Sequence, residues 1–477
     1  MPDVAPYHAP LEAPHLTDLG NADRFAADHH ELARYVWPWR SWLLWDQRRW
    51  APDQTGAAAR LARATVLGLY ALIPSFDDKD ERRALLAHAK ASESDHRLAA
   101  MLHLAQSLLW ADPGAVDRDP WLLNVLNGTL DLRTGDLRAH RREDYLTKLA
   151  PVEYLPQASA PQWDLFLQTI LPSASVRAFL QTAVGYALTG DTSEQMLFML
   201  SGTGANGKST FLKTLNDLLG DYALTTPSDT FMVKRDGAIP NDLARLRGAR
   251  FVTAVETHEG KRLDEALVKQ MTGGDTISAR FLHQEFFDYT PSFKVFLAVN
   301  YRPRIRGTEH AIWRRLRLVP FGVTIAEEQR DRSLLEKLRA EWPGILAWAL
   351  AGCARWREAG RLGTPEDVVA ATARYRASQD ALRDFLDECC ILDPAARISG
   401  TDLHGTYRDW CRKEDEKPMY RETLYARLEE RGLTRSGVTT RSRWVGIRLK
   451  TILERDQPEP LTEASSAAEP GANDVPF

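Results

Sequence analysis

Eight consecutive residues, Gly202-Thr203-Gly204-Ala205-Asn206-Gly207-Lys208-Ser209, have types and spacing suited to phosphate chemistry. In the pattern Gly-x4-Gly-Lys-Ser, the glycines let backbone N–H groups converge on phosphate oxygens. Lys208 is spaced to reach the β and γ phosphates of a nucleotide, and Ser209 to offer its hydroxyl to Mg²⁺. Thr210 continues into a helical pattern whose positive N-terminus favours the same anion. The apolar run QMLFMLSG precedes the loop and FLKTLNDLLG follows it, so the expected context is strand, loop, helix. ATP and Mg²⁺ are the cofactors these residues predict.

Hydrolysis needs more than a cradle. RFVTAVE ends in Glu256, a carboxylate that could polarise the attacking water and hold Mg²⁺ through a water. FKVFLAVN ends in Asn300, whose amide could orient that water against the γ-phosphate. Ligands of open parallel sheets bind at that strand edge. AIWRRLRLVPF then places Arg314 and Arg315 before another apolar run. On an extended chain, adjacent side chains point to opposite faces. One arginine is therefore expected to reach a phosphate across a subunit boundary while the other pairs locally. An arginine supplied in trans accelerates phosphoryl transfer by roughly 10³ to 10⁵.

These residues must be held by an α/β domain. Short apolar runs alternate with helical stretches, which predicts a largely parallel sheet. The expected organisation is a disordered N-terminus (1–16), an α+β domain (17–160), the ATPase domain (161–360), a further domain (365–450) and a disordered acidic tail (451–477). Within the first domain, VWPWRSWLLWDQRRW predicts short strands with an exposed aromatic face, residues 57 to 112 predict helices, and NGTLDLRTGDLRAH predicts a hairpin. Residues 365 to 391 read as helical. Two helices and a terminal β-ribbon then suggest a winged helix. Its Arg421, Arg427, Arg431, Arg435, Arg441, Arg443 and Arg448 are candidates for DNA phosphates.

The 61 Lys and Arg against 65 Asp and Glu give a formal charge of −4, so a basic surface must be local. Cys353, Cys389, Cys390 and Cys411 lack CxxC spacing and are expected as buried free thiols in a reducing cytosol. No apolar run is read as membrane-spanning and no signal pattern opens the chain, so a cytoplasmic protein without a membrane partner is expected.

Loop, acidic strand, asparagine strand and paired arginines, in this order, resemble the superfamily 3 helicases. The chain is more closely similar to the phage and plasmid primase-helicase family, related to the poxvirus nucleoside triphosphatase. LVKQMTGGDTISAR, TDLGNADRFAADHH, WLLWDQRRWAPD and NGTLDLRTGDLRAH extend the resemblance over roughly residues 17 to 450. It implies an AAA+-like core and a homo-oligomeric ring, by convention a hexamer, that hydrolyses ATP at subunit interfaces and moves on single-stranded DNA. Lys208, Ser209, Glu256 and Asn300 would belong to one subunit, and Arg314 or Arg315 to its neighbour. ARFLHQEFFDY looks like the family's channel hairpin, so Arg280 and His283 are expected at DNA phosphates and Phe281 or Phe286 at bases.

Long members carry a primase domain ahead of this region, and no primer synthesis is expected of this chain alone. Another possibility is an ATP-switched DNA-binding initiator or loader without strand separation. The last residues, Asn-Asp-Val-Pro-Phe477, resemble the tip of bacterial single-stranded DNA-binding proteins and suggest contact with a separate primase or host replication proteins.

Overall fold

The computed structural model describes residues 15–233, 241–256, 260–281, 285–305, 310–379, 381–414, 418–436 and 443–451. Thr17 accepts the Gly20 N–H and so caps the first helix, α1 (Asp18–His29). The tryptophan-dense segment forms an antiparallel sheet of β1 (Ala33–Val36), β2 (Ser41–Trp45) and β3 (Trp50–Pro52). Its expected exposed aromatic face is corrected. Trp50 is buried and Trp39, Trp42 and Trp45 are half-buried; only Trp37 of this run is exposed. Trp42 packs on Phe25 and Tyr35, and Trp45 on Trp50, which removes large apolar area from water.

α2 (Ala57–Leu72), α3 (Lys79–Ser92) and α4 (Asp95–Leu108) follow as expected helices. Residues 57 to 75 are long and apolar enough to cross a membrane by length and composition, which corrects the expectation of no such run. In this fold α2 buries Ala62 and Val66 against Phe25 of α1 and Met101 and Ala105 of α4. β4 (Leu122–Val125), β5 (Gly128–Asp131) and β6 (Asp136–Arg138) form a second antiparallel sheet that includes the expected hairpin.

α5 (Pro161–Ile170) and α6 (Ala174–Leu188) lead into the central sheet. Its elements are β7 (Leu197–Ser201), α7 (Lys208–Leu219), β8 (Ala223–Thr225), α8 (Asn241–Arg245) and β9 (Phe251–Glu256). α9 (Glu265–Gly273) and a hairpin of β10 (Ile277–Ala279) and β11 (Phe287–Tyr289) follow. Then come β12 (Lys294–Val299), α10 (His310–Trp313) and β13 (Leu316–Pro320). α11 (Leu334–Ala340), α12 (Trp342–Ala359) and α13 (Glu366–Ala377) complete this part.

The five strands are ordered β13-β7-β12-β9-β8 and every pairing is parallel. Side chains alternate between two cores. Phe198, Leu200, Phe296 and Ala298 face a core shared with α5, α6, α7 and α12; Leu197, Met199, Leu297 and Val299 face one shared with α9 and α13. Covering both faces explains why these strands read as continuous apolar runs.

Two buried cations tie the start of this sheet to its surroundings. Arg250 donates to the carbonyls of Leu188 (2.8 Å) and Leu122 (2.8 Å). Lys294 donates to those of Thr189, Asp191 (3.0 Å) and Ser292 (3.2 Å). Burial, with the Arg250 charge next in effect, pushes the Lys294 amine well below its ordinary range.

A second compact unit begins at Ala377. It contains α14 (Ala381–Cys389), β14 (Cys390–Ser399), α15 (Gly400–Lys413), α16 (Arg421–Glu430), β15 (Thr434–Ser436) and β16 (Arg443–Leu449). The sheet order is β14-β16-β15, antiparallel, over a core that includes Phe385, Leu403, Trp410, Leu424 and Trp444. β14 was not anticipated, and the helix expected through 391 stops at Cys389. All four cysteines are buried free thiols.

Candidate nucleotide site

Parallel register gathers the site. On β12, Val299 is paired with Ser201 of β7 on one side and Glu256 of β9 on the other. Gly202 and Asn300 therefore leave the sheet at the same edge, beside Glu256. Gly202 donates its N–H to the Val299 carbonyl at 3.2 Å, which draws the loop against the β12 terminus. Asn300 stands exposed at that terminus, and Glu256 is fully buried at the end of β9. Lys261 lies close enough to Glu256 to feel its charge, although the Asp229 carboxylate is the first cause holding the Lys261 amine above its ordinary range.

The loop shape depends on two glycines. A Cβ at Gly202 would lie 2.1 Å from Asn206 Nδ2 and 2.4 Å from the Phe321 carbonyl oxygen. Gly207 has φ of +79°, and a Cβ there would meet Ile170 Cγ2 at 2.5 Å. Between them, the Ala205 carbonyl accepts the Ile325 N–H at 2.8 Å, so the segment after β13 holds the loop from outside. Thr203, Ala205 and Ser209 are exposed, Gly204 and Thr210 are half-buried, and Asn206 is buried.

Lys208 opens α7 with only 4% of its surface exposed. Its amine donates to the Gly202 carbonyl (2.8 Å) and to Asn206 Oδ1 (2.8 Å). Burial lowers its pKa to about 8. Gly207 at the helix N-cap supplies no side chain, so the first N–H groups of α7 are left to the loop's concave side. An uncapped helix start, a buried lysine and a glycine-shaped loop fit a nucleotide triphosphate. Ser209 on the first turn would reach the accompanying Mg²⁺.

Arg314 and Arg315 lie at the opposite end of β7. The Leu197 N–H donates to the Arg315 carbonyl at 2.8 Å, and Leu197 is the first residue of that strand. Four steps of strand rise put the two ends roughly 13 Å apart. The extended conformation expected for the pair is corrected: both occupy a turn between α10 and β13, and both reach the same acceptor. Arg314 Nη2 donates to Gln195 Oε1 at 3.1 Å and Arg315 Nη2 at 3.3 Å. Arg315 is buried and also donates to Thr272 Oγ1 (3.1 Å) and the Ala311 carbonyl (2.9 Å). Arg314 is exposed.

Two residues of this neighbourhood escaped the sequence reading. Gln195, with φ of +54°, is the shared acceptor just before β7. Arg302, two residues beyond Asn300, is exposed at the loop edge with Nε 3.3 Å from Ser201 Oγ. Its signal was a basic residue just past an asparagine-ended strand. The loop that carries it is clamped, because the Tyr375 hydroxyl donates to the Pro303 carbonyl and the Arg304 N–H to that of Lys261 (2.8 Å).

The β10–β11 hairpin carries Arg280 over the Phe286 ring at 4.7 Å, with Phe281 stacked on Phe287 at 5.7 Å. His283 lies outside the described residues, as do Arg441 and the tail with Phe477. In the second unit, Arg421 donates to the Tyr425 hydroxyl at 2.8 Å and Arg435 pairs with Glu429 at 3.4 Å, so part of its basic surface is already engaged.

Residues 22–172 match the family described as D5 N terminal like, and residues 200–315 match a family of unknown function. "Putative helicase L207/L206" of Acanthamoeba polyphaga mimivirus is 29% identical over 322 residues, 62% of this chain and 33% of that protein. "Putative primase C962R" of African swine fever virus (isolate Warthog) is 26% identical over 336 residues, 62% of this chain and 34% of that protein. These matches support a likeness to the primase-helicase family of phages and large DNA viruses. It spans about a third of the length of these relatives. Among solved structures, the apo C-terminal region of NrS-1 overlays with a TM-score of 0.40 at 11% identity, covering 63% of this chain and 78% of that one.

Proposed function

We propose that this chain is an ATP-dependent DNA helicase of the superfamily 3 type. It uses ATP and Mg²⁺ and moves on single-stranded DNA as a homo-oligomeric ring, a hexamer by family resemblance, in replication of a phage, plasmid or integrated element. The carrying observation is the division of catalytic groups between the two ends of β7. Lys208, Glu256 and Asn300 surround one edge of the sheet, while both arginines sit at the other. A γ-phosphate held by Lys208 lies beyond the reach of its own Arg314. Arg302 is a cation this chain has at that edge, and a neighbouring copy would add Arg314, which is what a ring provides.

The residues then have distinct tasks. The loop N–H groups and Lys208 orient the triphosphate, and Ser209 ligates Mg²⁺ while Glu256 holds it through water. Glu256 takes the proton of the attacking water, and Asn300, set between the loop and Glu256 by strand order, orients that water. Arg314 is the trans residue, because it is exposed with one acceptor, whereas Arg315 is buried with three. The strand order supports an AAA+-like core, and the helix–strand–helix–helix–strand–strand order after Ala377 supports a winged helix. The names of the mimivirus and swine fever virus relatives point to replication as well.

The test compares ATP turnover with and without single-stranded DNA, and unwinding of a tailed duplex, in wild type and Lys208→Ala. DNA-stimulated turnover and unwinding, both lost in the variant, are expected. ATP binding with neither would replace this reading by the initiator or loader switch.

A further inference from the structure

The hairpin aromatics continue beyond the hairpin. Arg247, after α8, has its guanidinium 4.6 Å from the Trp39 ring centre and 5.3 Å from that of Phe287. It joins the Trp37-Pro38-Trp39 turn of the N-terminal region to β11. From Phe287 the contact passes to Phe281 by stacking. At the other end, Tyr35 meets Trp37 edge-on at 5.2 Å. The result is a run of rings with Arg247 between Trp39 and Phe287, flanked by Trp37 on the same turn and by Arg280 over Phe286.

Its ends are open to solvent: Trp37 is 48% exposed and Phe286 56%. Arg40, directly after the turn, is an exposed cation whose N–H closes the turn on the Trp37 carbonyl at 3.0 Å. Among the described residues, Arg40 and Arg280 form no ion pair, while Arg247, half-buried between its two rings, feels the charge of Asp117. The exposed Trp37 and Phe286 rings, beside the Arg40 and Arg280 cations, match the needs of a strand with unpaired bases: π faces for the bases and cations for the phosphates. A duplex offers no free base face to such a strip.

We propose that the Trp37–Trp39 turn with Arg247 is a second contact for single-stranded nucleic acid, continuous with the hairpin, at which Trp37 stacks on a base. The proposal deepens the strand-binding reading above and rests on it. The N-terminal region then holds the strand directly as well as supporting the motor.

The experiment titrates the full chain, with Mg²⁺ and a non-hydrolysable ATP analogue, into a fluorescent oligo-dT and follows anisotropy. Trp37→Ala is expected to weaken binding about five- to tenfold, the effect of one lost base stack. Its slope of log affinity against log salt should equal wild type, because no charge is removed. Trp37→Phe should recover most of the affinity, and Phe76→Ala, an exposed ring on another surface, should change nothing. If Trp37→Ala fails to fold, Trp37→Leu keeps apolar bulk without a ring and gives the same comparison. Wild-type affinity in Trp37→Ala or Trp37→Leu, with Phe286→Ala weakened, overturns this inference and leaves strand binding intact. Failure of wild type to bind oligo-dT in any nucleotide state removes the strand-binding reading and this inference together. Equal competition by blunt duplex would also overturn stacking on unpaired bases.

Discussion

Burial of Lys208 should make the proposed nucleotide binding proton-linked. Without nucleotide the amine faces only Gly202 and Asn206 acceptors and titrates near pH 8. A triphosphate would place anionic oxygens beside it and raise it back toward its ordinary range. The complex thus binds more protons than the free protein between about pH 8 and that range, so affinity is greatest below about pH 8 and falls as pH rises through it. The neutral fraction given up on binding is about 0.1 at pH 7, about 0.5 at pH 8 and about 0.9 at pH 9. Those are the protons taken up per site, and affinity should fall by up to about tenfold per pH unit above 8. Calorimetric titration of a non-hydrolysable analogue in two buffers of unlike ionisation enthalpy reads the uptake directly. At pH 9 phosphate ionisation is essentially complete, so it adds no signal there. Lys208→Arg should abolish the buffer dependence, because a guanidinium does not titrate there. Equal heats in both buffers at pH 9 for wild type would refute the reasoning.

Three further variants separate the arginines and test the loop. Arg314→Ala should cut ATP turnover by about 10³ or more while nucleotide still binds, and mixing it with Lys208→Ala should restore part of the activity at interfaces that combine their intact halves. Arg315→Ala should instead lose about 2 to 3 kcal/mol of stability in urea unfolding, because Thr272 and the Ala311 carbonyl lose a buried donor; an unchanged midpoint with abolished turnover would exchange the two roles. Gly202→Ala should lower the melting temperature and weaken nucleotide binding, since the new Cβ meets a backbone oxygen at 2.4 Å, and wild-type behaviour would mean that the loop can shift away from Phe321.

β7, β9 and β12 were legible because each is a largely buried apolar run with a polar residue at or just after its end. Glu256 and Asn300 stood out for that reason alone. What a linear pattern cannot carry is register: only pairing shows that Val299 lies between Ser201 and Glu256. The arginine pair was misjudged because a four-residue helix, α10, precedes it and a turn follows, both too short to leave a period. β14 was hidden by Asp393 and Pro394 within it, where the ladder shifts register between Leu392 and Arg397. The tryptophans suggested exposure by their density, but ring-on-ring packing consumed most of them. Gln195 gave no signal, since an isolated glutamine before a strand is unremarkable until both guanidinium groups are seen on it.

That glutamine gives the proposed ring a sense of order. β7 is five residues long and buried throughout, with no room to stretch. One end delivers the loop for this subunit's nucleotide, and Gln195 holds the arginine meant for the next subunit's just ahead of the other. When Arg314 leaves Gln195 for a neighbour's phosphate, the backbone leading into β7 loses a tether while the strand's far end still grips its own ATP. In such a ring adjacent sites would share a stiff rod, and the state of one would set the timing of the other. Such a ring would fire in sequence around its circumference, each subunit waiting for its neighbour.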